Sequence, residues 1–203
     1  MAQRLMILNG SPRAPKSNSA KYAQLFCQNW QGEVEQYTAL TDKTEDICRA
    51  AERCDALLLV FPLYADGVPA LLLPVLQALA QAELASRPVV HLLINCGFLE
   101  PEQNNVAVEM VELFCRRGGF AFGSVLCIGS GEAILRTPFA FLAKRRIAQL
   151  AKAAARGRQV RLKTAMPLPK KLFLQASEKY WASFGARYGV TPEQMRTMQI
   201  EGE

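Results

Sequence analysis

The sequence holds a single histidine, His91, in 203 residues. No imidazole cluster is available to hold a metal, and the six cysteines do not replace one. Cys27, Cys48, Cys54, Cys96, Cys115 and Cys127 form no C-x-x-C pair. Zinc and iron–sulfur sites are therefore not expected. Most of these cysteines lie in apolar or helical patterns and read as buried, reduced thiols. There is no C-x5-R phosphatase loop.

Long apolar runs are also missing. "VPALLLPVLQALA" at 68–80 is too short and too interrupted by proline to span a bilayer. The N-terminus has no cationic flank followed by an apolar segment and cleavage site, so no signal peptide is expected and a cytoplasmic protein is the default. Glycine is scarce where nucleotide motifs need it. After Gly10 the next glycine is Gly32, which rules out G-x-G-x-x-G, and no G-x-x-x-x-G-K-[ST] occurs. Acids are nearly absent from 136–180, where twelve Lys and Arg meet only Glu178. A solvated helix face is the first reading of that tract. An anionic cofactor, nucleic acid or an anionic membrane surface are the functional alternatives. Its aromatics follow helical spacing and no RNA-binding or zinc-finger motif is present, so no nucleic-acid partner is expected.

What is present is alternation. Apolar runs at 4–10, 33–39, 55–64, 88–97 and 122–130 read as strands. The first, third and fourth are almost continuously hydrophobic, as parallel strands covered on both faces are. Helical patterns lie between them, at 20–30, 42–54, 68–85, 102–119 and 138–157. Asn18 or Ser19 suits the first N-cap and Thr41 the second, while Gly119 suits the fourth C-terminus. Five such repeats predict a doubly wound α/β sheet with its ligand outside the carboxyl ends of the strands.

Three loops at that edge carry polar groups. "NGSPRAPKSNS" at 9–19 follows the first strand and is rich in hydroxyls. With no dinucleotide glycines, it suits a single phosphate group, with Ser11, Arg13, Ser17, Asn18 and Ser19 as contacts. An ordinary turn with an N-cap is the competing reading. "FPLYADGVPALL" follows the third strand and offers Tyr64 beside an Asp66-Gly67 turn. "NCGF" follows the fourth. "GSGEAI" at 129–134, after the fifth, reads as a backbone bend.

Taken together, "NGSPR…SNS", "PLYADGVPALL" and "NCGF" resemble the flavodoxin-like family of NAD(P)H-dependent FMN and quinone reductases, over roughly residues 4–158. The resemblance implies a flavodoxin-like doubly wound sandwich with a five-stranded parallel sheet in the order 2-1-3-4-5. It implies FMN as cofactor and NADPH or NADH as co-substrate. By position, it puts Ser11, Arg13, Ser17, Asn18 and Ser19 at the phosphate. Pro62, Leu63, Tyr64 and Asp66 fall along the ring, and Asn95, Cys96, Gly97 and Phe98 at its pyrimidine edge. Tyr64 is a candidate for positioning a small-molecule electron acceptor; no protein acid or base is required. The chain departs from many relatives at Ala65, where they carry an aromatic, and it lacks the cysteine cluster of iron–sulfur relatives. A non-enzymatic flavin carrier or redox sensor is the alternative function.

Two further expectations concern surfaces. The helix after the third strand is apolar almost all round, which suits a homodimer or cover by the chain's own tail. The division expected is a flavin domain at 1–165 and a helical extension at 166–203. In that extension Phe173, Tyr180, Phe184 and Tyr188 form a stripe suited to docking on protein, with a membrane surface ranked second. His91, amid Val and Leu, reads as a core residue.

Overall fold

A computed structural model describes residues 3–197. Two compact units divide the chain, Met1–Met166 and Pro167–Glu203.

The first unit is a parallel sheet wound with helices. In chain order it runs β1 (Leu5–Asn9), α1 (Asn18–Cys27), β2 (Val34–Thr38), α2 (Thr44–Arg53), β3 (Ala56–Pro62), α3 (Leu73–Gln81), β4 (Val89–Asn95), α4 (Asn105–Gly118), β5 (Phe122–Ile128), α5 (Ala140–Ala155) and β6 (Arg161–Thr164). The strand order is β2-β1-β3-β4-β5-β6, and every pairing is parallel. The sheet thus has six strands, not the five expected. β6 escaped the sequence reading because it has only four residues, exposes Arg161 and Lys163, and sits in a basic tract. Its partner is chosen by backbone pairing, Val125 with Arg161 through Ile128 with Thr164. The Ser124 hydroxyl helps by donating to the Arg158 carbonyl (2.6 Å) and accepting from the Val160 N–H (3.2 Å).

Burial explains the rest of the order. β1 is buried throughout, and β3, β4 and β5 nearly so. β2 and β6 are only half-buried and form the edges. α2, α3 and α4 cover one face, where Ile47, Leu72, Val75, Leu79, Val111 and Phe114 meet Leu57, Leu59, Leu92 and Ile94. α1 and α5 pack together against the other face, led by Tyr22, Phe26, Ile147 and Leu150, all fully buried. Burying each large aliphatic or aromatic side chain stabilises the fold by about 1.5–3 kcal/mol relative to exposure. The cations of α5, Lys144, Arg145, Arg146 and Lys152, all face solvent. Arg161 and Lys163 on β6 pair with Glu112 and Glu102; such exposed pairs contribute little to stability.

One predicted helix start moves here. α2 begins two residues later than a Thr41 cap requires: Lys43 occupies the N-cap position with no side-chain bond. Asp42 is drawn away, since its carboxylate accepts from the Thr38 N–H at 2.6 Å. Gly119 does end α4 in the left-handed region, with φ 70, where glycine is favoured.

The second unit comprises α6 (Lys170–Ala186) and α7 (Pro192–Thr197). Tyr180, Trp181 and Phe184 of α6 and Tyr188 just beyond it pack ring against ring, Tyr180 on Phe184 stacked and Trp181 edge-on to both. Leu174, Trp181, Pro192 and Met195 line a groove between the two helices. Among the described residues no helix is long and apolar enough to cross a membrane.

His91 sits inside β4, and its Nδ1 accepts from the Ser124 N–H at 2.9 Å. Burial pushes its pKa from 6.5 down to about 4. The folded protein therefore holds the neutral ring while the unfolded chain takes up a proton below about 6.5. Stability should be full above that pH, fall as pH drops towards 4, and level off below it. The loss attributable to His91 is on the order of 3 kcal/mol. Denaturant unfolding at pH 7 and pH 4.5 should show this loss in the wild type and much less of it in His91→Gln. An equal loss in both would assign acid sensitivity to other groups.

Candidate functional site

The chain leaves β1 towards β2 on one side and returns through β3 on the other. This reversal opens a crevice at the carboxyl ends of β1 and β3, the place where open α/β sheets bind ligands. Ser11, Arg13, Ser17, Asn18, Ser19, Pro62, Tyr64 and Asn95 all line one small cavity there, together with Glu132. Leu63, Asp66, Cys96, Gly97 and Phe98 lie outside its lining.

The first loop is built around Ser11. Its N–H donates to Asn9 Oδ1 (3.0 Å), its Oγ accepts from the Arg13 N–H (3.3 Å), and its carbonyl accepts from the Ala14 N–H (3.1 Å). These bonds fold the loop back and bury Ser11. Arg13 stays exposed at the rim. Ser17, not Asn18 or Ser19, caps α1: its backbone is extended and its Oγ accepts from the Ala20 N–H at 3.1 Å. Three successive residues have suitable side chains, and the choice falls to the one whose backbone leaves the helix. The N–H groups of Lys16, Ser17, Asn18 and Ser19 donate to no group among the described residues. No acid stands in the first turn of α1. The unsatisfied amides of Asn18 and Ser19, in the first turn of α1, and the positive end of the helix dipole thus lie at the crevice.

The second wall is a two-residue turn. Tyr64 and Gly67 pair as an isolated antiparallel bridge, with Ala65 and Asp66 at φ 45 and 57. Positive φ at both central positions is the type I′ arrangement, rare for alanine. It carries the Tyr64 ring out to 44% exposure at the cavity rim.

The third wall starts at Asn95, which is buried. Its Nδ2 donates to Ser19 Oγ and to the Phe61 carbonyl, both at 3.2 Å. The Leu63 N–H donates back to the Asn95 carbonyl at 2.8 Å. Cys96 turns inward; Asn104 Nδ2 lies 3.4 Å from its sulfur, and burial pushes its thiol pKa up. Its N–H is already donated to the Ile128 carbonyl at 2.9 Å. Gly97 and Phe98 are exposed beyond it.

A fourth segment, 129–134, which the sequence presents as a bend after the fifth strand, also forms part of this edge. Gly129 lies so close to the Leu99 carbonyl, and Gly131 so close to Asn95, that a Cβ would fall 2.3 and 2.8 Å from them. The Gly131 N–H donates to the Cys96 carbonyl (2.7 Å) and Tyr22 Oη donates to the Gly131 carbonyl (2.8 Å). Ser130, at φ 49, donates its N–H to the Phe98 carbonyl. The outcome is that Glu132 enters the cavity, where its Oε2 accepts from Asn18 Nδ2 at 2.8 Å. The only signal in the sequence was an acid directly after G-S-G at a strand end.

Donor chemistry therefore suits a small anionic group such as a phosphate monoester. The cavity is about 30 Å³, far below the roughly 300–1,000 Å³ of ligand pockets. A ring attached to that group would have to lie on the exposed rim.

The architecture is flavodoxin-like. Solved structures with this fold include an FMN-dependent NADH-azoreductase from Bacillus anthracis str. Ames Ancestor, at 12% identity and TM-score 0.62, covering 75% of this chain and 99% of that one. A flavodoxin from Streptococcus pneumonia TIGR4 matches at 16% and 0.56, over 75% and 98%. An NAD(P)H:quinone oxidoreductase from Methanothermobacter marburgensis matches at 16% and 0.55, over 76% and 96%. No family model and no curated protein matches the sequence. Identities this low establish the fold alone.

Asn95 is the side chain that joins three of these walls. Asn95→Ala removes both of its bonds and should destabilise the protein by about 1–3 kcal/mol. Denaturant midpoints measure this, and a change within 0.5 kcal/mol, the usual range for surface substitutions, would show that the walls hold without it.

Proposed function

We propose that this chain is an FMN-dependent oxidoreductase that takes a hydride from NADH or NADPH and passes electrons to a quinone-like or other small acceptor. The observation that carries this reading is the convergence of Ser11, Arg13, Ser17, Asn18, Ser19, Pro62, Tyr64 and Asn95 on one opening at the switch point. The names of the structural neighbours, an FMN-dependent azoreductase and a quinone oxidoreductase among them, support it.

In this reading the Ser17–Ser19 amides and the Ser11 and Ser17 hydroxyls hold the phosphate, and Arg13 offsets its charge from the rim. The turn at Tyr64–Gly67 walls one side of the ring. Gly97 and Phe98, whose N–H groups donate to nothing among the described residues, face the pyrimidine edge and favour negative charge there. Asn95 and Cys96 hold that segment in place through the core. Tyr64 positions the acceptor. FMN, when bound, supplies the two-electron chemistry; the protein orients and desolvates, and no side chain has to transfer a proton.

The reading extends to a cytoplasmic homodimer with residues 1–165 as the flavin domain and 166–203 as a docking extension. Support for the dimer is the apolar surface left open on α3 and α4, where Leu73, Val106, Met110 and Leu113 are each at least 36% exposed.

The central test is cofactor release. Flavin freed by heat from purified or FMN-reconstituted protein should chromatograph as FMN, and the loaded protein should oxidise NAD(P)H with menadione or ferricyanide. FAD as the sole species would overturn the assignment, and bound FMN without turnover would leave an electron carrier. Light scattering at micromolar concentration should give twice the monomer mass; a clean monomer would refute the dimer.

A further inference from the structure

Glu132 stands where the flavin reading needs an anion from outside. Its carboxylate lines the same cavity as Ser11, Arg13, Ser17 and Ser19. Both directions of the Asn18 amide are turned to it, Nδ2 lying 2.8 Å from Oε2 and 3.4 Å from its backbone carbonyl. The Asn18 side chain therefore has no donor left for a ligand while Glu132 is in place. The residue reaches the start of α1 from 114 positions away in sequence, at a helix end with no acid of its own. It does not arrive there on a loose loop. Gly131 is wedged against Asn95, Tyr22 and the Cys96 carbonyl fix both sides of the Gly131 peptide unit, and Ile134 is fully buried two residues on. The backbone is fixed, and the half-buried side chain carries the carboxylate to Asn18.

We propose that Glu132 is a built-in anion that plugs the phosphate cradle, so that a phosphate monoester binds only by displacing it. This rests on the reading of the cradle as the FMN phosphate site. A carboxylate and a phosphate carrying about −1.5 to −2 charges cannot share one donor set without strong repulsion. The plug has two consequences. It places a negative charge beside the open amides of the helix N-terminus when no cofactor is present, which favours the empty fold. It also weakens retention of the phosphate, which makes FMN an exchangeable ligand and not a permanent prosthetic group. The cavity's small volume follows directly, since the Glu132 side chain takes up the space a phosphate would need.

The experiment uses the full chain as wild type, Glu132→Gln and Glu132→Ala, each checked for a cooperative melt. Glu132→Gln keeps the shape and an acceptor for Asn18 and removes only the charge; Glu132→Ala empties the space. FMN and riboflavin are titrated by quenching of flavin fluorescence, and inorganic phosphate by its effect on melting temperature against chloride at equal ionic strength. The proposal expects both variants to bind FMN at least tenfold more tightly than wild type, with riboflavin affinity unchanged, and to gain a phosphate-dependent rise in melting temperature. Equal FMN affinity in all three proteins would overturn the plug while leaving the flavin reading intact. A phosphate response in the variants with no FMN binding to any of them would uphold the plug and overturn the flavin reading. Tighter binding of FMN and riboflavin alike would also overturn it, because the gain would then come from the ring and not the phosphate. No response to either ligand in any protein would overturn both.

Discussion

One buried amide holds the carboxyl edge of this sheet together. Asn95 ends β4, and its side chain reaches Ser19 on α1 and the backbone of β3, while its own carbonyl receives Leu63. Three chain segments that have no local reason to meet are thereby fixed relative to one another. A buried polar group is costly unless it is paired, so the same bonds that shape the crevice also make any other arrangement of these loops unfavourable. The glycine at 131 completes the constraint, because only a residue without a Cβ lets the fourth loop settle against Asn95.

Electrostatics then decide what that edge can hold. The backbone N–H groups from Lys16 to Ser19 donate to no group among the described residues, and Ser17 Oγ satisfies only the amide of Ala20. Without an anion this end of α1 would be an uncompensated concentration of donors. Glu132, distant in sequence but on the lining of the same cavity, brings a carboxylate to this end of α1. Arg13, by contrast, stays at the rim, where solvent screens it. The basic tract at 136–164 does not add to the site in the same way: its α5 cations are solvated, and Arg161 and Lys163 are engaged with Glu112 and Glu102.

Strand number, caps and the inward turn of Cys96 share one cause. Each is decided by backbone geometry that side-chain patterns carry only weakly. β6 is a strand because β5 offers it a free edge, and Ser17 is the cap because the chain leaves the helix there. Cys96 faces Asn104 because its own N–H is committed to the Ile128 carbonyl.

The alternation of apolar runs and helical stripes was enough to place five of the strands and the helices between them. Burial on both faces forces continuous hydrophobic strands, and that composition can be read without coordinates. The loop at 9–19 was legible as a polar segment at a helix start, and a tight turn after Tyr64 was too, although it centres on Ala65 and Asp66 and not on Asp66-Gly67. Glu132 could not be read this way. Its role depends on meeting Asn18 across more than a hundred residues, and long-range proximity leaves no local pattern. The packing of Gly131 on Asn95 sets where that carboxylate lies, so tertiary structure alone decided that an acid from the loop after β5 meets the start of α1.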